Sequence, residues 1–250
     1  MKKEWFADWF DSPYYHVLYQ NRDHQEAEAF IKKLITFLNP KKGATILDVA
    51  CGKGRHAKQM AELGFQVTGI DLSKNSIDHA NESKHENLAF FVHDMRLPFQ
   101  KNQYDFVFNF FTSFGYFDTA EENQDAMNMM AEALKEDGTL VMDYLNAGRF
   151  IGGLSQKESK VIDGIIFETE KMTVNNKITK TIKITDEKKG VDAHFSEAVS
   201  LLTINDFQKL ALQAGLKITA IFGDYELNPY DENNSERLIM IFSKARSSLE

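Results

Sequence analysis

Three acidic residues and a glycine turn lie where short apolar runs of the sequence end. Asp48 stands just ahead of Gly52-Lys53-Gly54, Asp71 ends the second run, and Asp94 follows the third. If these runs are parallel strands, their carboxyl ends meet at one edge of a sheet, where open α/β sheets bind ligands. A glycine turn there lets the backbone approach a ligand closely. Asp71 is placed to accept hydrogen bonds from ribose hydroxyls and Asp94 from an adenine amino group, so the pattern predicts an adenosyl ligand.

Two classes of adenosyl cofactor fit this pattern. Residues 52–57 match the relaxed dinucleotide motif with alanine in third place, and Asp71 follows at nearly the spacing of an NAD site. Asp48 favours a cation instead, because like charges about 4 Å apart repel by roughly 4 kcal/mol at an effective dielectric of about 20. The same carboxylate attracts the ammonium and sulfonium of S-adenosylmethionine, although Lys53 and Arg55 offset part of its charge. An NAD-dependent oxidoreductase therefore stays open as the alternative.

Alternating apolar and amphipathic segments predict the elements that position these residues. The predicted strands are 45–49, 66–70, 88–92, 104–108 and 139–144, with helices at 55–63, 74–84 and 120–135. The strands are apolar on both faces, which a sheet covered by helices on both sides requires. Strict alternation of strand and helix predicts a doubly wound, mostly parallel α/β sheet.

Two segments depart from this alternation. Residues 12–39 predict one helix that begins at Ser12-Pro13 and ends before Pro40. Residues 150–202 predict a small antiparallel β insert, with strands at 162–173, 177–185 and 194–202 and a turn at Asn175-Asn176. A helix at 203–214 and strands at 217–222 and 237–242 follow. The predicted organisation is an α/β domain of residues 1–149 and 203–246, with a helical lid at 1–40 and the insert at 150–202.

Composition and charge argue against several classes of function. The 250 residues include 29 basic and 37 acidic side chains, and a net charge of −8 disfavours generic binding to nucleic acid or membranes. Lysines in the insert keep an RNA methyltransferase or RNA-binding module open as a further alternative. A single cysteine, Cys51, and the lack of a signal core or long apolar run predict a cytoplasmic protein. The 7 histidines show no zinc spacing, so no metal is expected.

Four ordered motifs resemble the class I S-adenosylmethionine-dependent methyltransferases. They are residues 47–54, 69–73, 93–96 and 134–140, within a resemblance that covers 45–146 and resumes at 203–243. The resemblance implies a seven-stranded sheet whose last strand is antiparallel. It also implies that Asp48 and the loop residues Ala50, Cys51, Gly52 and Gly54 hold the methionine part of the cofactor.

The same resemblance assigns the rest of the cofactor site. Asp71 and Leu72 would hold the ribose and adenine, Asp94 and Met95 would frame the adenine, and Phe110 would flank the sulfur. The implied reaction is in-line transfer of a methyl group from S-adenosylmethionine to a nitrogen, oxygen or carbon of a small molecule, with S-adenosylhomocysteine as product.

A narrower resemblance is to the small-molecule branch, which includes amino-sugar and glycine N-methyltransferases. Tyr15, Tyr19, Arg22, residues 111–117 and the insert carry it. In that branch an N-terminal helix folds over the site, so Tyr19 and Arg22 are expected to reach the cofactor carboxylate or the cavity.

Two residues are candidates for proton transfer if the methyl acceptor must lose a proton. Tyr116 lies beyond the fourth strand, where the acceptor would meet the methyl group, and His194 lies in the insert near Glu197. Both side chains are of types that serve as general acids or bases.

Overall fold

A seven-stranded sheet forms the centre of the structure, a computed structural model that describes residues 9–19, 24–150, 153 and 155–245, without the side chains of 24–27. Its strands are β1 (Thr45–Val49), β2 (Gln66–Asp71), β3 (Leu88–Val92), β4 (Tyr104–Asn109), β5 (Leu134–Leu145), β10 (Leu216–Phe222) and β11 (Arg237–Lys244). Their spatial order is β10-β11-β5-β4-β1-β2-β3. β11 runs antiparallel to both of its neighbours, β10 and β5. All pairings among the first five strands are parallel. The order reverses between β1 and β4, which is where such sheets open a ligand crevice.

Helices cover both faces of this sheet. They are α1 (Pro13–Leu18), α2 (His24–Leu38), α3 (Arg55–Glu62), α4 (Lys74–Asn81), α5 (Ala120–Ala133) and α6 (Ile204–Gln213). One apolar core lies between the sheet and α2, α3 and α4, and another between the sheet and α5 and α6. Capping boxes begin α5 at Thr119 and α6 at Thr203, which confirms the predicted start of the last helix. Within the described ranges, none of the helices is both long and apolar enough to cross a bilayer.

A four-stranded antiparallel sheet is inserted between β5 and α6. It consists of β6 (Ser155–Ile162), β7 (Ile165–Val174), β8 (Lys177–Asp186) and β9 (Val191–Ser200), in that spatial order. The predicted turn at Asn175-Asn176 is confirmed, with both residues at positive φ as two-residue hairpin turns require. The sequence did not predict β6, because its side chains are exposed on nearly every position and show no alternation of apolar and polar residues.

The N-terminal segment differs from the single helix predicted over 12–39. α1 ends at Leu18 and α2 begins at His24, so two helices replace one. Trp9 is fully buried ahead of α1, in a third core formed with the inner face of the insert at Ile165, Phe167 and Ile184. The N-terminal segment therefore packs on the insert, and together they cover the carboxyl edge of the main sheet.

Candidate functional site

A cavity of about 450 Å³ lies at the carboxyl edge of the main sheet. Its walls come from the loops after β1 and β4, the ends of β2 and β3, α1, and one face of β9. The structure brings most of the predicted site residues to this cavity: Tyr19, Asp48, Ala50, Cys51, Gly52, Asp71, Leu72, Asp94, Met95, Phe110 and Tyr116.

The loop after β1 turns sharply at the cavity wall. Ala50 and Gly52 both have left-handed backbone conformations, with φ of 60° and 55°, and a Cβ on Gly52 would meet nothing within 4 Å. Gly54 has a different role, because it does not line the cavity. It begins α3 at φ 77°, and a Cβ there would lie 2.5 Å from the Phe90 ring. Gly54 thus lets the helix pack closely on β3, and its predicted contact with the cofactor stays a prediction.

Asp48 presents a buried carboxylate to the cavity. The residue is 2% exposed, and its Oδ2 has no hydrogen-bond partner among the described residues. Burial, and then the charge of nearby Asp71, raise the pKa of Asp48 from 3.8 to about 7. A buried acceptor without a donor is energetically costly, so the position calls for a ligand that brings positive charge or a donor.

Asp71 is fixed at the end of β2 by backbone donors. The Gly52 N–H donates to Oδ2 at 2.8 Å, and the Ser73 N–H donates to Oδ1 at 2.8 Å. Burial raises the pKa of Asp71 above its usual value, although these two N–H groups oppose the shift. An ionised carboxylate has about four acceptor positions, so each oxygen retains capacity for a ligand hydroxyl. Leu72 follows at the cavity wall and supplies an apolar surface.

Asp94 is engaged by a guanidinium. Arg96 Nε lies 3.1 Å from Asp94 Oδ1, and Arg96 Nη2 lies 2.6 Å from Oδ2. Burial would raise the pKa of Asp94, but the hydrogen bonds and charge of Arg96 outweigh it and hold the pKa below its usual value. Arg96 also donates to Glu122 at 2.6 Å, which ties β3 to α5. The predicted contact of Asp94 with an adenine amino group stays a prediction.

The loop after β4, which belongs to the 111–117 segment named above, is held by two residues that the sequence did not single out, Asp143 and Arg237. Phe111 and Thr112 both have positive φ, 58° and 59°, a conformation that is costly for residues with side chains. The buried Asp143 holds them, because its Oδ2 accepts from the Phe111 N–H at 2.8 Å and its backbone oxygen accepts from the Thr112 N–H at 2.9 Å. Arg237 Nε donates to Asp143 Oδ1 at 2.7 Å. An acid inside the apolar run of β5 was the signal for this network.

His56 and Phe110 extend the same wall. The His56 ring stacks on Phe111 with centroids 4.8 Å apart at 14°, and Phe110 packs edge-on against Phe30 at 5.5 Å. Phe110 is 4% exposed and lines the cavity near the glycine turn. These rings form an apolar wall between the glycine turn and the loop after β4.

The opposite wall consists of α1 and β9. Tyr19 Oη donates to the Glu197 carboxylate at 2.8 Å, and Trp9 Nε1 donates to the same carboxylate at 2.5 Å. Tyr116 faces them from the loop after β4 and packs edge-on against Phe10, with centroids 5.2 Å apart. Glu197 and Trp9 were not predicted as site residues, and Arg22 lies outside the described residues.

The structure does not bring His194 to the cavity. Its side chain is 71% exposed and lies beside Asp192, with 3.7 Å between His194 Nε2 and Asp192 Oδ1. Successive side chains of a strand point to opposite faces, so His194 and Glu197, three residues apart on β9, cannot share one face. The expectation that His194 acts at the site is therefore corrected: Glu197, not His194, reaches the cavity.

Comparison with known proteins identifies the domain around the glycine turn. Residues 46–138 match a family model described as a methyltransferase domain. A putative methyltransferase from Geobacillus sp. (strain WCH70) is 32% identical over 146 residues, and that alignment spans 57% of either chain. The dTDP-3-amino-3,4,6-trideoxy-alpha-D-glucopyranose N,N-dimethyltransferase of Streptomyces venezuelae is 26% identical over 225 residues, 87% of this chain and 92% of the relative.

The whole fold also has a solved counterpart. The CcbJ methyltransferase from Streptomyces caelestis superposes with a TM-score of 0.77 at 19% identity, over 95% of this chain and 98% of that chain. Its coverage includes both the main sheet and the insert.

S-adenosylmethionine fits the acceptor groups that line the cavity. The orphaned Oδ2 of Asp48 suits a cationic group, the open space at Gly52 admits a ligand against the backbone, and Asp71 is oriented to accept from hydroxyls. The motifs, the cavity and the matched relatives agree on one assignment. Residues 46–138 match a methyltransferase domain, and the chain is similar to S-adenosylmethionine-dependent methyltransferases.

Proposed function

We propose that this protein transfers a methyl group from S-adenosylmethionine to a nucleophilic atom of a small molecule bound in the 450 Å³ cavity. The observation that carries the proposal is the buried, unpartnered carboxylate oxygen of Asp48, in the same cavity as the oriented carboxylate of Asp71. A cation beside Asp48 stabilises its ionised form, whereas a pyrophosphate would repel it. This geometry disfavours the NAD-dependent alternative.

The residues divide the cofactor between them. Asp48 and the turn at 50–52 would hold the methionine part, and the remaining acceptor positions of Asp71 would take the ribose hydroxyls. Leu72 and Met95 would cover the adenine with apolar surface. These assignments follow the order of the residues along the cavity wall, from the glycine turn to the end of β3.

Once bound, S-adenosylmethionine supplies an electrophilic methyl group on its sulfonium sulfur. The protein then has to hold the acceptor in line, about 3–3.5 Å from the reacting carbon, and keep water away. Phe10, Phe110, Phe111 and Phe117 line the cavity and would leave little room for water beside a bound cofactor and acceptor. Tyr116, which faces the same space, is the proposed hydrogen-bonding or proton-accepting group for the acceptor.

Cavity shape and surface charge support a small acceptor over a nucleic acid. The cavity is covered by α1 and β9, and the outer face of the insert pairs its lysines with acids, as in Lys183–Glu168 at 3.0 Å. These ion pairs and the net charge of −8 give little support to an RNA-binding role. The Streptomyces venezuelae relative is named for methylating an amino sugar, which is consistent with a small acceptor here. A cytoplasmic location stays a prediction from the single cysteine.

Calorimetry tests the proposal directly. We expect S-adenosylmethionine and S-adenosylhomocysteine to bind with dissociation constants of about micromolar or tighter, and Asp71→Ala to weaken both by about tenfold or more, since it removes charged hydrogen-bond acceptors. Asp125→Asn, on the exposed face of α5, is the matched control and should change neither affinity. A folded wild-type protein that binds neither compound, or that binds NADH in their place, would contradict the proposal.

A further inference from the structure

We infer that Glu197 is the anionic anchor of the acceptor pocket, and that the acceptor is a small molecule carrying a protonated aliphatic amine. The inference rests on the proposed function for the reaction itself. The recognition is carried by different elements, because Glu197 lies on β9 and its partners belong to the N-terminal segment, away from the turn after β1.

The Glu197 carboxylate is held in one orientation at the cavity wall. Trp9 Nε1 donates to Oε1 at 2.5 Å, and Tyr19 Oη lies 2.8 Å from Oε1 and 3.0 Å from Oε2. A carboxylate has about four acceptor positions, and these two donors occupy two of them. The group lines the cavity, so its remaining acceptor capacity is available to a bound molecule. The side chain is therefore positioned in advance for a ligand that donates hydrogen bonds.

Aromatic rings surround the space in front of Glu197. The Tyr15 ring lies edge-on to Tyr19 and Phe10, with centroids 4.9 and 5.1 Å apart, and Phe10 continues to Tyr116 at 5.2 Å. Ring faces attract cations through their quadrupoles, most strongly where water is displaced. A carboxylate within an aromatic enclosure favours an alkylammonium over a neutral alcohol of the same shape, and it repels an anion.

Lys180 is the charge that could cancel this preference. Lys180 lies on β8 directly opposite Glu197 on β9 in the strand register, and it is 9% exposed. Its Nζ donates to Tyr19 Oη at 2.7 Å and lies 4.6 Å from the centroid of the Tyr19 ring. Within the described residues, Lys180 is not part of the cavity wall, whereas Glu197 is. The ammonium of Lys180 thus orients the Tyr19 hydroxyl towards Glu197, and the charge that faces the acceptor is negative.

A matched pair of probes tests the inference. N,N-dimethylethanolamine is a cation at neutral pH, and 3-methylbutan-1-ol is its neutral carbon isostere. Both are titrated, by ligand-observed NMR, into the free protein and into the protein loaded with S-adenosylhomocysteine. We expect the amine to bind about tenfold tighter than the alcohol, and Glu197→Gln to remove that preference while leaving alcohol binding within about twofold.

Controls separate recognition from folding. The glutamine amide oxygen can still accept from Trp9 and Tyr19, and an unchanged affinity for S-adenosylhomocysteine reports an intact cofactor site. Glu168→Gln removes an exposed carboxylate from the outer face of the same insert and should keep the amine preference. If Glu197→Gln fails to fold, the wild-type comparison in the protein loaded with S-adenosylhomocysteine still decides whether the acceptor pocket prefers a cation, because the bound compound then occupies the space beside Asp48.

Two failures are distinguishable. Equal binding of amine and alcohol to the wild-type protein, or full amine affinity in Glu197→Gln, would overturn the inference and leave the proposed function standing. Lack of S-adenosylhomocysteine binding would overturn the proposed function, while the comparison of wild type with Glu197→Gln in the free protein still decides whether Glu197 selects a cation.

Discussion

Replacing Asp48 by asparagine should stabilise the cofactor-free protein and weaken the cofactor. The side chain is 2% exposed, and its Oδ2 has no hydrogen-bond donor among the described residues. In the folded state burial, and then Asp71, raise the pKa of Asp48 from 3.8 to about 7. The ionised carboxylate is therefore a cost to the fold, and a ligand that brings positive charge or a hydrogen-bond donor relieves it.

The size and sign of this free-energy cost follow from the shift in the pKa of Asp48. A rise of about three units is worth about 4 kcal/mol at 1.36 kcal/mol per unit, and water in the adjoining cavity should reduce this to about 2–4 kcal/mol. Between the two pKa values the folded protein binds a proton that the unfolded chain does not, so stability falls as pH rises. The penalty is absent below about pH 4 and complete above about pH 7.

Thermal melting of the cofactor-free protein at pH 5 and pH 8.5 measures the effect. At pH 8.5, Asp48→Asn should raise the melting temperature by roughly 5–10 °C, given about 2–4 °C per kcal/mol for a chain of this size. The gain should be smaller at pH 5, and S-adenosylmethionine affinity should drop about tenfold or more at neutral pH. Asp125→Asn controls for a change of net charge. A variant less stable than wild type at pH 8.5, or a gain equal at both pH values, would refute the reasoning.

Two further substitutions test the loops that shape the cavity. Gly54→Ala places a Cβ 2.5 Å from the Phe90 ring at φ 77°, and denaturant unfolding should show that the free energy of unfolding falls by about 2–4 kcal/mol. The control Gly190→Ala, at φ 63° in open space, should lower it by only about 1 kcal/mol, and equal losses would contradict a packing role for Gly54. Asp143→Asn leaves the partly buried Arg237 without its ionic partner, and the same assay should show a loss of about 2–4 kcal/mol, less than for a fully buried pair. S-adenosylhomocysteine binding should weaken because the Phe111 N–H loses its charged acceptor, although the Thr112 N–H keeps the backbone oxygen of residue 143; an unchanged affinity would separate that loop from the cofactor.

The main sheet was predictable because local patterns decide it. Strands buried on both faces are continuous apolar runs, and β1, β2 and β3 end at the acids that the sequence marked for the site. The capping residue Thr203 and the turn at Asn175-Asn176 are also local signals, and both were confirmed. These features depend on residues only a few positions apart.

The acceptor side was not predictable in the same way. Trp9 contacts Glu197, 188 residues away in the sequence, and Arg237 contacts Asp143, 94 residues away. No local sequence pattern predicts either contact. The two-residue period of β9 does distinguish His194 from Glu197, because it places His194 outward with Asp192 and Glu197 inward with Phe195. β6 lacked any such period, since it is exposed throughout most of its length.

The burial of Trp9 against the insert sets an order for biosynthesis. Its apolar neighbours are Ile165, Phe167, Ile182 and Ile184, which leave the ribosome long after the first helix has emerged. Until then Trp9 and Phe10 have no insert to cover them, although the strands up to β5 are already available to pair. The strands up to β5 can therefore pair on the nascent chain first, and the cavity wall formed by α1 and β9 closes last.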